Sequence, residues 1–213
     1  MEIKYLGHAS FLIQTKDVNI VCDPFSPELG LKFPSGIKAD ILTVSHDHFD
    51  HNNIAAVSGN PYLIKEPGEF EIKDVNIFGI SSYHDKNQGQ ERGTNTMFLI
   101  EAEGITLCHL GDLGHTLSNE QINELDGIDV LFVPVGGTYT IDAKEAEELV
   151  LQIEPKIVIP MHFGIPEIKE PLSPLADFLK EMGKENIVTQ NKLVVKSGQE
   201  LPEEMQVVVL NKI

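Results

Sequence analysis

Three of the eight histidines in this chain lie within six consecutive residues, in the stretch SHDHFDH at 45–51. Imidazole and carboxylate groups are common ligands of zinc. In an extended segment, residues two apart face the same side, so His46 and His48 can bind one ion. Asp50 and His51 diverge from that pair and are better placed for a second ion, whereas Asp47 faces away. The spacing therefore predicts a site for two metal ions.

The remaining ligands must come from other parts of the chain, because a catalytic zinc needs three protein ligands and an open position. His84, Asp112 and His162 each follow an apolar, strand-like run: IFGISSY, ITLCHLG and KIVIPM. Chemically active side chains often lie in loops at strand ends. We therefore expect these three residues to complete the metal site.

Short strand-like runs dominate the chain, among them IKYLG, SFLIQ, VNIVC, DILTVS, TMFLIE, DVLFVP, KLVVK and QVVVL. Helical stretches begin at capping signals after Ser118 and Asp142, and a third runs from Ser173-Pro174 to Gly183. Strands mixed with helices, without a linker rich in Pro, Gly and Ser, predict a single α/β domain over 1–213.

Three segments read as strand, tight polar turn and strand: 11–22, 70–80 and 98–109. The first and third have a similar apolar pattern and lead to Asp23 and Asp112. Either the fold contains two related halves, or amphipathic hairpins simply look alike. If the fold contains two related halves, functional residues would collect at one edge of the fold.

Composition limits the partners of the protein. The formal net charge of −17 repels nucleic acid and anionic lipid, so neither is expected as a partner. No run approaches the ~18 apolar residues of a membrane span, and the N-terminus does not resemble a leader. We expect a cytoplasmic protein with reduced cysteines and a small-molecule substrate; a homo-oligomer is left open.

The motif HxHxDH after a strand, followed by single His, Asp and His residues at later strand ends, resembles the metallo-β-lactamase superfamily. YLGHASFLI, CDPF, GDLGH and PMH look like the small metal-dependent hydrolases of the ascorbate-6-phosphate lactonase-like branch. The resemblance runs the whole length of the chain. It implies a four-layer αββα sandwich, two mixed β-sheets flanked by helices, with a dinuclear metal site at one edge of the sheets.

The resemblance also implies which residues bind each ion. It gives His46, His48 and His84 to the first metal, and Asp50, His51 and His162 to the second. Asp112 bridges the two ions. We call these the first group, the second group and the bridging carboxylate.

Departures from other branches narrow the expected chemistry. The segment after Ser81 lacks the third motif of glyoxalase-like members, and there is no room for the clamp domain of the ribonuclease branches. The flavin-coupled diiron branch has Glu where His48 stands. An imidazole there favours zinc over oxygen-reducing iron, although manganese also suits a site of histidines and acids.

Four further residues are candidates near the site. Arg92 is the only arginine, and its guanidinium suits a phosphate or carboxylate on the substrate; a salt bridge with Glu91 is the alternative. Tyr139 lies at a strand-to-helix junction and could line the pocket. Asp23 is a candidate acceptor for the second N–H of a ligand histidine. His8 could hydrogen-bond near the site or be structural, and the roles of His109 and His115 stay open.

The predicted function is metal-dependent hydrolysis of a small anionic ester, a sugar-type lactone or a phosphoester. Two ions would lower the pKa of a bridging water from about 15.7 to about 7, which gives a hydroxide nucleophile. Asp50 could orient that water or pass a proton to the leaving group. The alternatives are a nucleotide phosphodiesterase, a non-catalytic metal-binding or sensing protein, and redox chemistry at iron.

Overall fold

The computed structural model of the protein describes residues 1–196 and 201–213, which form two sheets and three α-helices. The strands are β1 (Glu2–Gly7), β2 (Ser10–Gln14), β3 (Asn19–Cys22), β4 (Ile41–Thr43), β5 (Tyr62–Ile64), β6 (Gly68–Ile72), β7 (Val75–Tyr83), β8 (Thr94–Ala102), β9 (Ile105–His109), β10 (Val130–Pro134), β11 (Ile157–Met161), β12 (Leu193–Val194) and β13 (Gln206–Val207). The helices are α1 (Asn119–Glu124), α2 (Ala143–Ile153) and α3 (Leu175–Glu181). The strand β5 was not predicted, and the last two strands are shorter than the runs KLVVK and QVVVL.

Both sheets are mixed. The six-stranded sheet has the order β12-β1-β2-β3-β4-β5, and the seven-stranded sheet has the order β13-β11-β10-β9-β8-β7-β6. Pairing is parallel from β3 to β5 and from β9 through β10 and β11 to β13. The two sheets pack face to face, with the rings of Phe11 and Phe132 4.4 Å apart between centroids. The predicted sandwich of two mixed sheets is confirmed.

The helices begin where the capping signals predict. Ser118 and Asp142 each form a capping box, at the start of α1 and α2. The third helix differs slightly, because Pro174 is its N-cap and no side chain caps it. Apolar residues of α2 and α3 pack into the same core cluster as the strands of the seven-stranded sheet. None of the described helices has the length and apolar character that crossing a membrane requires.

An irregular segment, rather than an α-helix, covers the outer face of the six-stranded sheet. Within 24–39 the structure has only the short 3₁₀ helix Pro27–Leu29. Phe25 and Leu29 of this segment pack on Leu6 and Val21 of the sheet. Three prolines, at 24, 27 and 34, lack the N–H that a longer helix would need. The helical layer is therefore thinner on this side than the resemblance implied.

The three repeated segments are antiparallel hairpins: β2–β3, β6–β7 and β8–β9. Strands β3 and β4 are parallel neighbours, as are β9, β10 and β11, so their carboxyl ends lie at common edges. Asp23 follows β3, and Asp112 and His162 follow β9 and β11. The topology therefore gathers the candidate site residues at one edge of the sandwich.

Candidate metal centre

All seven predicted ligands meet at this edge. His46, His48 and His84 place one nitrogen each within 4.8 Å of one another, and this set is the first group. Asp50, His51 and His162 form a second cluster by the same criterion, together with His8. The structure thus brings each predicted set together. That the residues bind metal remains a prediction.

Asp112 lies between the two groups. Its Oδ2 is 3.2 Å from His84 Nε2 in the first group and 3.0 Å from His162 Nε2 in the second. The other carboxylate oxygen is 3.2 Å from His51 Nε2. The side chain is almost completely buried. A carboxylate in contact with both groups has the position that a bridging ligand requires.

Several of these atoms are buried without a hydrogen-bond partner. Among the described residues they include His46 Nε2, together with His51 Nε2 and Asp112 Oδ1, which lie 3.2 Å apart but not in hydrogen-bonding geometry. The free energy cost of an unpaired buried polar atom is about 1–3 kcal/mol, so such atoms normally have a ligand. Divalent ions fit this donor set, because nitrogen lone pairs and carboxylate oxygens converge at short distances.

Electrostatics at the site differ from one candidate ligand to the next. Burial holds the pKa of His46 well below its ordinary value, and burial lowers the pKa of His8 to about 4. Burial alone would raise the pKa of Asp112, but the imidazoles of His162 and His51 outweigh it and hold that pKa well below the usual range. The neutral imidazole is thus favoured at His46 and His8 and the ionised carboxylate at Asp112, whereas the Asp112 carboxylate raises the pKa of His51 and His84 despite their burial.

The two residues predicted to support the ligands both contact the second group. Asp23 is completely buried and accepts a hydrogen bond from His51 Nδ1 over 2.9 Å. His8 is also buried, and its Nε2 lies 3.2 Å from Asp50 Oδ2. His8 thus belongs to the same cluster of nitrogen and oxygen atoms as the second group, whereas the sequence predicted only a hydrogen bond near the site.

A recess of about 270 Å³ opens over the candidate metal centre. Its walls include five of the candidate ligands together with Phe49, Arg92, Tyr139 and Glu170. Phe49 is 44% exposed, which is high for a phenylalanine and places an apolar ring at the entrance. The recess leaves the ligand atoms accessible to a small molecule.

Arg92 and Tyr139 both line this recess, and they contact each other. The guanidinium carbon of Arg92 lies 5.5 Å from the centre of the Tyr139 ring, within the range of a cation–π contact. Arg92 also pairs with Glu91 at 3.6 Å, so the predicted alternative is present as well. Tyr139 donates a hydrogen bond to Glu170, and its backbone carbonyl lies 3.1 Å from His84 Nδ1.

The loop that carries Arg92 is built on one carboxylate. Asp85 accepts hydrogen bonds from four backbone N–H groups, those of Asn87, Gly89, Glu91 and Arg92, at 2.8–3.0 Å. These bonds lower the pKa of Asp85, although burial opposes them. Arg92 is thus held in place over the recess by its own backbone.

Several residues of the site were not predicted from the sequence. Ser45, Asp85, Asn95, Phe49 and Glu170 all support or line it. Ser45 and Asp85 are direct neighbours of predicted ligands, so adjacency was a usable signal. The roles of Asn95 and Glu170 depend on contacts between distant parts of the chain.

The two histidines with open roles are not among the clustered ligands. His109 is buried, and its Nε2 is 2.8 Å from the carbonyl oxygen of Ala9. His115 does not line the recess. Its Nε2 accepts a hydrogen bond from the backbone N–H of Tyr83.

A two-sheet sandwich with a His/Asp cluster at the strand ends defines the class of protein. The family model described as Beta-lactamase superfamily domain matches residues 2–162. A UPF0173 metal-dependent hydrolase of Staphylothermus marinus is 32% identical, over 76% of this chain and 83% of the relative. One from Carboxydothermus hydrogenoformans is 28% identical, over 77% of this chain and 85% of the relative. The chain therefore belongs to the metallo-β-lactamase superfamily and, within it, to the UPF0173 metal-dependent hydrolase family.

Solved structures agree with this assignment. A Thermotoga maritima protein with the provisional name of Zn-dependent hydrolase is 39% identical, with a TM-score of 0.80 over 98% of this chain and 97% of that one. An isothiocyanate hydrolase from Delia radicum gut bacteria has a TM-score of 0.69, over 92% of this chain and 99% of that one. At 12% identity, that second similarity shows the fold alone.

Proposed function

We propose that the protein is a hydrolase that uses two divalent metal ions. In this proposal the first group binds one ion, the second group binds the other, and Asp112 bridges them. The observation that carries the proposal is the convergence of buried, unpaired ligand atoms below an open recess. A closed structural site would leave no such access. The curated relatives bear the name metal-dependent hydrolase, which supports the same reading.

Zinc is the ion that we propose. Imidazole nitrogens outnumber carboxylates among the seven ligands, and this composition suits zinc, while manganese would suit the carboxylates. The provisional name of the Thermotoga maritima relative supports zinc. Two bound ions would supply a water of lowered pKa and polarise the bond to be cleaved.

Asp50 would orient the nucleophile. Its Oδ2 lies 3.2 Å from His8 Nε2, which fixes the carboxylate, and Asp50 lines the recess, where its second oxygen would face the attacking water. The same oxygen could carry a proton to the leaving group. The ionised state that this role requires is favoured, because the His51 charge and the His8 hydrogen bond outweigh burial and lower the pKa of Asp50.

The substrate that we propose is a small anionic ester, either a sugar-type lactone or a phosphoester. A recess of about 270 Å³ limits the size of the ligand. Arg92 offers a guanidinium at its wall, with a position set by Asp85 and by the Tyr139 ring. The resemblance to ascorbate-6-phosphate lactonase-like hydrolases supports this substrate class.

Metal analysis of the purified protein is the first test, followed by lactone, phosphodiester and thioester substrates with zinc or manganese. We expect two ions per chain, and turnover that is lost when both His46 and His51 are replaced by alanine. Activity of that variant without metal would contradict the proposal. Preference for nucleotide phosphodiesters would support the alternative enzyme, and bound metal without any turnover would support a sensing role.

Replacement of Arg92 tests the anionic part of the substrate. We expect Arg92→Met to raise KM for the best anionic substrate about tenfold or more, with kcat changed by less than about threefold, because a bidentate contact is lost. Lys86→Met is the matched control, since Lys86 lies in the same loop but pairs with Glu145 outside the recess. Equal effects of the two variants would refute a direct role for Arg92.

A further inference from the structure

Ser45 lies between the end of β4 and the first ligand of the metal centre. Its side chain is buried and contacts two charged or ligating groups. Ser45 Oγ is 2.6 Å from Asp23 Oδ2 and 2.9 Å from His46 Nδ1. The backbone N–H of Ser45 also donates to Asp23 Oδ1 over 2.7 Å. Asp23 in turn accepts the hydrogen bond from His51 Nδ1.

The directions of these hydrogen bonds follow from the number of available hydrogens. A serine hydroxyl has one hydrogen, and an ionised carboxylate can only accept. At 2.6 Å from Asp23 Oδ2, the Ser45 hydroxyl must donate to it, because two acceptors at that distance would repel each other. Ser45 Oγ then accepts the N–H of His46 Nδ1. Both His46 and His51 therefore carry hydrogen on Nδ1, so Nε2 is the nitrogen that each ring can offer to a metal ion.

This result agrees with an independent observation. His46 Nε2 and His51 Nε2 are both buried, and neither has a hydrogen-bond partner within residues 1–196 and 201–213. His46 belongs to the first group, and His51 belongs to the second. One buried carboxylate thus fixes a ligand of each ion, directly for His51 and through a hydroxyl for His46.

We propose that Ser45 is a positioning residue for the first metal ion and that Asp23 positions ligands of both ions. The proposal rests on the two-ion function described above. Removal of the Ser45 hydroxyl would free the ring of His46 but leave the bond from His51 to Asp23 intact. Removal of the Asp23 carboxylate would release both rings. The two substitutions should therefore differ in how many metal sites they weaken.

Calorimetric titration of the metal-free protein with zinc, together with metal analysis, tests this difference. We expect Ser45→Ala to weaken one of the two binding events about 10–100-fold, the usual effect of losing such a partner, and to leave the other within about threefold. Asp23→Asn should weaken both. Ser45→Thr keeps the hydroxyl and should restore near-normal binding.

Ser10→Ala is the matched control. Ser10 is also a buried serine, and its hydroxyl donates to the backbone carbonyl of Cys22, beside Asp23, over 2.7 Å. It is not linked to a candidate ligand, so both zinc affinities should stay unchanged. Equal losses in Ser10→Ala and Ser45→Ala would mean that buried serines act only on the fold, and would overturn the proposal.

A measurement on the wild-type protein covers the case in which the variants do not fold. Long-range ¹H–¹⁵N NMR spectra of the zinc-loaded protein should show His46 and His51 with hydrogen on Nδ1 and zinc on Nε2. Hydrogen on Nε2 of His46 would overturn the role of Ser45.

If the wild-type protein binds fewer than two ions, the two-ion function fails and this proposal with it. If it binds two ions and Ser45→Ala binds both normally, this proposal alone fails.

Discussion

Asn95 supports the bridging carboxylate from below, and its replacement is a stringent test of the metal centre. It lies on β8, almost completely buried. Its Oδ1 accepts the backbone N–H of Asp112 over 2.9 Å. Its Nδ2 donates to the carbonyl of Leu110 over 2.9 Å and to Ser82 Oγ over 2.7 Å. Asn95→Ala removes all three hydrogen bonds at once.

The size of the effect follows from these contacts. The substitution leaves two buried backbone groups, the N–H of Asp112 and the carbonyl of Leu110, without this partner. Each such group costs about 1–3 kcal/mol, so we expect the free energy of unfolding to fall by about 4 kcal/mol. For a domain of this size, that corresponds to a decrease in Tm of about 8–16 °C. Zinc affinity should fall about 10–100-fold, because Asp112 is no longer fixed.

Thermal unfolding of the metal-free protein measures the first effect, and zinc titration measures the second. Asn76→Ala is the matched control, since Asn76 lies on the adjacent strand β7 and makes an exposed contact with Glu101. We expect that control to change stability by less than about 0.5 kcal/mol. If Asn95→Ala loses less than about 1 kcal/mol and keeps its zinc affinity, Asn95 does not hold Asp112 in place.

Two further predictions concern the second group. Burial lowers the pKa of His51, but the Asp112 and Asp50 carboxylates outweigh it and raise that pKa well above its ordinary value in the metal-free protein. The positive charge of protonated His51 stabilises the metal-free fold below about pH 6.5. This stabilisation is lost as the pH rises through the raised pKa of His51. Zinc must displace the proton on His51, so the affinity for zinc should rise about tenfold per pH unit until the pKa of His51 is reached. Calorimetric titrations in buffers of different ionisation enthalpy should detect the released proton. Binding of zinc without proton release would contradict the role of His51 as a ligand. A Cβ on Gly136 would lie 2.1 Å from the carbonyl oxygen of His162, so Gly136→Ala should displace His162 and lower the zinc content from two ions toward one. Gly183→Ala, where a Cβ meets nothing within 4 Å, should affect stability only, and an equal loss of zinc there would contradict the argument.

The sequence predicted the sets of residues that meet, because the signals were local. HxHxDH follows a strand directly, and the other candidates also follow apolar runs, so parallel strands bring their ends together. The supporting contacts could not be predicted in the same way. Asn95 contacts Asp112 across the hairpin β8–β9, although the two residues are 17 positions apart in the sequence. Glu170 reaches the recess from an irregular segment whose position depends on packing. The outer layer over the six-stranded sheet was expected to be helical, but its prolines prevent it.

The backbone of the site departs most clearly from what sequence propensity predicts. His8, Asp23 and His162 have φ values of 57°, 44° and 53°, in the left-handed region that non-glycine residues rarely adopt. Each occupies the position directly after a strand, and each is fixed by contacts from elsewhere: the N–H of His162 donates to the carbonyl of His8 over 2.9 Å. Such strain persists only where the surroundings determine the conformation. This hydrogen bond connects the turn after β1 to the end of β11. It therefore joins the six-stranded sheet to the seven-stranded sheet beside the second group. If the protein binds two ions as proposed, a substitution that relaxes either turn should therefore weaken binding of the ion at the second group before that of the ion at the first group.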